Sequence, residues 1–167
     1  MAVQANEILT FQNVNLYARN FAGTKFGDGK RTFGFFIEPE VAQAMLADGW
    51  PVKQTRPPAE NVPEDWSPRF WLKVNISYKF RPPKVVTIGS RGMVTLDEEV
   101  LDILDWASFE TVDLSVRARF WEMNGNTGLQ AQLSEMYATL EESPLAIKYG
   151  AAQGGENEYD FGNEPPY

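Results

Sequence analysis

The chain has 167 residues and a formal charge of −8, with 43% hydrophobic and 23% charged residues and neither cysteine nor histidine. Such a composition supports a packed core but excludes disulfides, thiolate nucleophiles, Cys/His zinc sites and His-dependent triads. No apolar run is long enough to cross a bilayer, and residues 1–20 lack the basic and apolar regions of a signal peptide, so the expectation is a cytoplasmic binding protein without cofactor, metal site or membrane partner, not an enzyme.

Alternating apolar residues over 8–17 (ILTFQNVNLY) predict a first strand, with a bulge or bend where the phase changes between Phe11 and Val14. A Gly-rich connection follows over 18–31, then a strand at 32–37 (TFGFFI). Pro39 opens a short helix that runs to Asp48 and ends at Gly49. Residues 52–56 fit a short edge strand, and four prolines mark 57–68 as a loop. The clearest strand is 69–80: Phe70, Leu72, Val74, Ile76, Tyr78 and Phe80 share one face, and Arg69, Trp71, Lys73, Asn75, Ser77 and Lys79 the other. Pro82-Pro83 breaks it, and VVTI at 85–88 resumes extended structure. Asp97 caps a predicted helix over 98–105 whose apolar side is Val100, Ile103, Leu104 and Ala107. A strand at 111–121 turns Val112, Leu114, Val116, Ala118 and Phe120 inward and Arg117, Arg119 and Trp121 outward; Asn124-Gly125 then turns the chain into a last strand over 129–140.

This order is mainly β and fits a five-stranded OB-fold-like barrel with a helix between strands three and four and an inserted short helix after strand two. A different small mixed sheet fits the same string. The domain boundary is expected at Tyr149/Gly150, with a nucleic-acid-binding body over 1–149 and a disordered acidic tail over 150–167.

Charge is sorted along the chain. Residues 150–167 hold four acids and no base, which leaves 19 acids against 15 bases, a net −4, for the body. Six bases and no acid lie between Trp66 and Leu96; seven acids and no base lie between Gly92 and Val116. Arg69, Trp71, Lys73 and Lys79 on one strand, and Arg117, Arg119 and Trp121 on another, combine cations with an aromatic ring. Single-stranded nucleic acid needs that pairing, because bases stack and phosphates seek charge. A solvated polar face is the plainer alternative. The connection adds Arg19, Phe21, Lys25, Lys30 and Arg31, with Phe26 beside them, where an OB-fold's first loop borders its cleft; a mobile surface loop is the alternative there. GTKFGDGK lacks P-loop spacing. Asp97, Glu98, Glu99, Asp102 and Asp105 read as a solvated helix start before they read as a metal or acid–base site. Asn75-Ile76-Ser77 matches a glycosylation sequon by chance. In the tail, Glu156, Glu158, Asp160 and Glu164 surround Tyr159, Phe161 and Tyr167, a pattern suited to a partner's basic, apolar pocket or to competition for the body's own basic groove.

The blocks YARNF (17–21), PEVAQAMLADGWPVK (39–53), PPKVVTIGSRG (82–92), LDEEVLDILDWA (96–107), VDLSVRARFW (112–121) and MYATLEE (136–142) resemble phage-encoded single-stranded DNA-binding proteins with an OB-fold. The resemblance covers most of 8–149 and adds Tyr17 to the binding residues alongside Arg19 and Phe21. It implies sequence-independent binding of single-stranded DNA in phage DNA replication or recombination, in the host cytoplasm, with replication or recombination proteins recruited through the tail. Two other classes stay open: a protein-only module, such as a virion component or a DNA mimic, and a carboxylate–metal enzyme acting on nucleic acid. A homo-oligomer also stays open, as does the choice between DNA and RNA.

Overall fold

The computed structural model describes residues 2–145 and Lys148; the predicted tail lies outside them. The N-terminal run divides where the sequence loses its phase. Asn13 takes a left-handed φ of 52°, separating β1 (Ile8–Phe11) from β2 (Leu16–Asn20). β3 (Arg31–Ile37) pairs antiparallel with β2 and with β5 (Phe70–Ile76), and the long β8 (Phe109–Met123) pairs antiparallel with β1 and with β9 (Asn126–Leu140). A parallel pairing of β5 with β9, Val74 opposite Ala131, completes the order β1-β8-β9-β5-β3-β2. The two ends of that path are consecutive in the chain. Their link bonds both ways: the Val14 amide donates to Val112 O (2.9 Å), and the Phe36 amide donates to Asn15 O (3.0 Å). The mixed sheet therefore curls round Phe33, Phe35, Leu72, Val74, Leu114, Val116, Leu133 and Met136 as an OB-like fold.

The inserted helix α1 (Pro39–Asp48) starts at its proline and stops at Gly49, which is left-handed at φ 107° and donates to Met45 O and Leu46 O. β4 (Val52–Gln54) then pairs with residues 70–72 of β5.

Several expectations need correcting. β5 ends at Ile76, where its pairing with Arg31 of β3 runs out, so Tyr78 is only half-buried and Phe80 is 60% exposed instead of inward. Lys79 accordingly sits in a turn, off the strand face. After β6 (Lys84–Gly89) comes an unforeseen strand, β7 (Gly92–Leu96), joined by a two-residue turn. Four of its five residues are exposed, which erased the alternation that would have announced it.

The helix over Glu98–Asp105 is a 3₁₀ helix, capped as expected by the Asp97 carboxylate on the Glu99 amide (3.0 Å). With three residues per turn, Leu101 and Leu104 align and are buried, while Val100 faces solvent. β8 and β9 overshoot the core as a hairpin, so Phe120 is 51% exposed although its phase is inward.

The burial phase of the 3₁₀ helix gives a direct contrast. Leu104→Ala should cost about 2–5 kcal/mol in urea unfolding. Val100→Ala should stay within about 0.5 kcal/mol, as an exposed site; equal losses would show an α-helical phase instead.

Candidate nucleic-acid interface

Register across the sheet decides which side chains share the outer face. Pairs of opposed residues point to the same side, so Trp71 (β5) lies between Phe36 (β3) and Lys53 (β4), and Gly34 lies beside Lys73. One step on, Asn75 lies beside Gln132 of β9, which lies beside Arg117 of β8. Arg119 opposes Gln130, and Trp121 opposes Gly128. The outward residues of the two predicted strands thus occupy one continuous face, with β9 between them.

Both tryptophans lie across a glycine of the neighbouring strand. A Cβ added to Gly34 would stand 2.6 Å from Trp71 Cε3, and one added to Gly128 would run into Cζ2, Cε2 and Nε1 of Trp121. The missing side chain is what lets each ring lie close to the sheet. Trp71 is held further by Tyr17, edge-on at 5.1 Å between centroids, and Tyr17 by Phe36 at 4.7 Å. Arg69 sits 3.5 Å above the centre of Phe36, and Lys53 5.4 Å above Trp71. Trp121 is 38% exposed, and its neighbour Arg119 lies 5.1 Å over Phe80.

Between the two tryptophans the sheet opens. β5 shares one edge between β4, over 70–72, and β9, at 74–75, so the β8–β9 hairpin cannot close on β5 beyond that point. A groove of about 430 Å³ fills the gap, with Lys25, Lys30, Lys53 and Lys73 on its lining and Asp28 as its acid. Phe26 and Trp71 supply apolar surface, and the Asn75 and Gln130 amides add polar groups. The lysines come from three segments of the chain. Of the six consecutive bases between Trp66 and Leu96, only Lys73 lines it; Lys84 is over Tyr137 on another part of the sheet, and Arg91 is in the β6–β7 turn.

The connecting loop contributes differently from expectation. Phe21 is fully buried and stacks on Phe33 at 4.8 Å, so it belongs to the core and cannot meet a base. Arg19 donates to Leu104 O (3.2 Å) and Ala107 O (2.7 Å), satisfying carbonyls at the end of the 3₁₀ helix. Arg31 donates to Phe21 O (2.6 Å) and stands 3.7 Å from Glu98. Both arginines brace the loop, and Lys25 and Lys30 are its exposed bases. Arg117 is half-buried and reaches Ser134 Oγ at 3.4 Å. The Asp105 carboxylate also holds the loop, accepting from the amides of Phe21 (2.6 Å) and Ala22 (3.0 Å). An acid at a helix C-terminus opposes the dipole, and these two bonds account for its presence there. Asn20 closes the loop base by donating to Lys30 O (3.3 Å) and accepting from the Lys25 amide (3.2 Å). Nearby, burial pushes the Tyr78 phenol above its ordinary pKa, against the lowering effect of Arg31, and Glu98 and Asp97 add to the rise.

Sequence reasoning passed over Phe36, Lys53 and Phe80. Phe36 was legible from parity, since Phe33, Phe35 and Ile37 point inward. Lys53 and Phe80 join the face only through tertiary pairing.

A family model described as "Putative phage ssDNA-binding domain" matches residues 2–161. No curated protein matches the chain. Among solved structures, the single-stranded DNA-binding protein from bacteriophage Enc34 in complex with ssDNA superposes with a TM-score of 0.52 at 12% identity, covering 82% of this chain and 88% of that one. A C-terminal truncation of the Enc34 protein gives 0.51 at 12% identity with the same coverage. At that identity the likeness establishes the fold.

Removing the loop brace has a measurable consequence. Asp105→Ala leaves two part-buried amides unpaired and should cost about 1–3 kcal/mol. Hydrogen exchange at Phe21 and Ala22 should accelerate, while Asp102→Ala, an exposed neighbour, should change neither readout.

Proposed function

The chain belongs to the phage single-stranded DNA-binding family, and from that premise we propose that it lays the strand across the Trp71–Trp121 face without reading its sequence. The observation that carries this reading is the pair of tryptophans seated on Gly34 and Gly128 on one sheet face, with Trp71 lining a groove that carries four lysines. Bases stack on Trp71, with Tyr17 beside it, and on Trp121; phosphates lie against Lys25, Lys30, Lys53 and Lys73, with Arg69 and Arg119 at the ends. Stacking suits any base, since each has a π-face. A single strand also presents bases to a flat ring, which a closed duplex does not. The role is binding, not catalysis, in phage DNA replication or recombination within the host cytoplasm.

The body's net charge of −4 makes the groove's local charge the source of affinity, so binding should be strongly salt-dependent. The four lysine–phosphate contacts alone predict a slope of about −3 for log K against log salt on single strands, steeper if Arg69 and Arg119 also engage phosphate. Trp71→Ala and Trp121→Ala should each cost about 1–3 kcal/mol in oligo-dT titrations. Lys73→Ala should flatten the salt slope by about 0.7. Unchanged affinity in both tryptophan variants, with melting temperatures intact, would move the strand to another face. Duplex DNA binding as tightly as oligo-dT would refute the single-strand mode.

The tail supplies the second part of the proposal. Glu156, Glu158, Asp160 and Glu164, with Phe161 and Tyr167, compete with DNA for the four lysines and are offered to a replication or recombination protein when DNA occupies the groove. Tethering raises such a segment to an effective concentration of roughly millimolar. Deleting 150–167 moves the charge from −8 to −4 by removing four acids. The truncated chain should bind oligo-dT more tightly at low salt, with the advantage shrinking as salt screens the tail. Equal affinities at low salt would remove the competition.

A further inference from the structure

β7 is an edge with unusual properties. Among the described residues it pairs with β6 alone, and its sequence GMVTL has neither a charge nor a proline to block further pairing. Among the other short strands at sheet edges, β4 carries Lys53 and β2 carries Arg19. Met93 is 63% exposed and Val94 51% exposed. The turn closes at Gly89 and Gly92, and Thr87 opposes Val94. In a two-residue hairpin the closing pair exchanges both hydrogen bonds, and alternation along the ladder then makes Thr87–Val94 the next such pair. The amides and carbonyls of Met93 and Thr95 therefore point to the free edge.

The residues around this edge are self-complementary. Centred on Val94, the segment Arg91-Gly-Met-Val-Thr-Leu-Asp97 places a base three residues before and an acid three residues after. We infer that β7 pairs antiparallel with β7 of a second copy, on a two-fold axis through Val94. Met93 of each copy then opposes Thr95 of the other and exchanges two backbone bonds with it, four in all. Val94 faces Val94 as the close, non-hydrogen-bonded pair. Gly92 lies opposite the partner's Leu96, and Arg91 of each copy meets an acid, the partner's Asp97. These rim charges set register and direction, because a shift of the axis in either direction separates them. A two-fold interface must match itself in this way.

The pairing leaves the DNA face open. β6 joins β9 at residues 135–139, whereas the groove uses 129–131, so β7 lies beyond the opposite end of that strand. Two copies joined through β7 would carry two grooves on one continuous sheet.

The absence of cysteine makes the axis testable by single replacements in the full-length chain. Val94→Cys should form a disulfide-linked dimer under mild oxidation, since Cα atoms in such a pair stand about 4.5 Å apart. Met93→Cys and Thr95→Cys should not, because each would face its own copy only diagonally, beyond about 7 Å. Sedimentation of the unmodified protein should move with concentration from 18.9 kDa toward twice that mass. Val94→Lys, which sets like charges opposite each other, should weaken dimerisation at least tenfold and leave affinity for a short oligo-dT within twofold. A monomer at every concentration overturns the proposal, and so does cross-linking at 93 or 95 as fast as at 94. Such a result leaves the groove's own titrations untouched.

Discussion

A tryptophan ring lies close against a sheet where the position beneath it carries no side chain, and this steric condition is met twice on one face. Gly34 accommodates Trp71 and Gly128 accommodates Trp121. The arrangement removes water from one side of each ring, so under the proposed binding mode a base meets a ring that is already ordered. Entropy is the main cost of binding with long side chains. On this face the two rings are held by the sheet beneath them and, at Trp71, by Tyr17. The same glycines weaken their strands, and the overlying rings restore packing that a glycine alone would lose.

Acid and base have separate duties in a chain that is acidic overall. The groove gathers Lys25, Lys30, Lys53 and Lys73 with Asp28 among them. Much of the acid elsewhere is structural: Asp97 caps the 3₁₀ helix, Asp105 holds the loop that presents Lys25 and Lys30, and Glu142 accepts from the Ser90 amide and hydroxyl at the β6–β7 turn. A single sign of charge over the whole body would bind any polyanion. Confining the lysines to a groove flanked by flat rings favours a polyanion whose bases are free to stack.

What the sequence made legible follows from periodicity. Along β5 and the inner half of β8 every second residue meets the core, so the outward setting of Trp71, Lys73, Arg117, Arg119 and Trp121 could be read directly. Parity fails where a strand outruns its partners: Phe80 and Phe120 carry the inward phase but have no core beneath them. It also has no meaning in the loop, where Phe21 went to the core and Arg19 and Arg31 to backbone carbonyls. Runs of like charge misled in the same way, since a sheet with crossovers scatters neighbours in sequence. Lys53 entered the face through an inserted strand that only tertiary pairing could place.

The long strand β9 ties these features together. Along one edge it is paired throughout with β8, and along the other it serves β5 at 131–132 and then β6 at 135–139. Among the described residues its first ones, 126–130, have no partner on that second edge, because β4 already occupies β5 there. The groove is thus a direct outcome of strand accounting: β4 and β9 share one edge of β5, β5 and β6 share one edge of β9, and the gap lies between β4 and the start of β9.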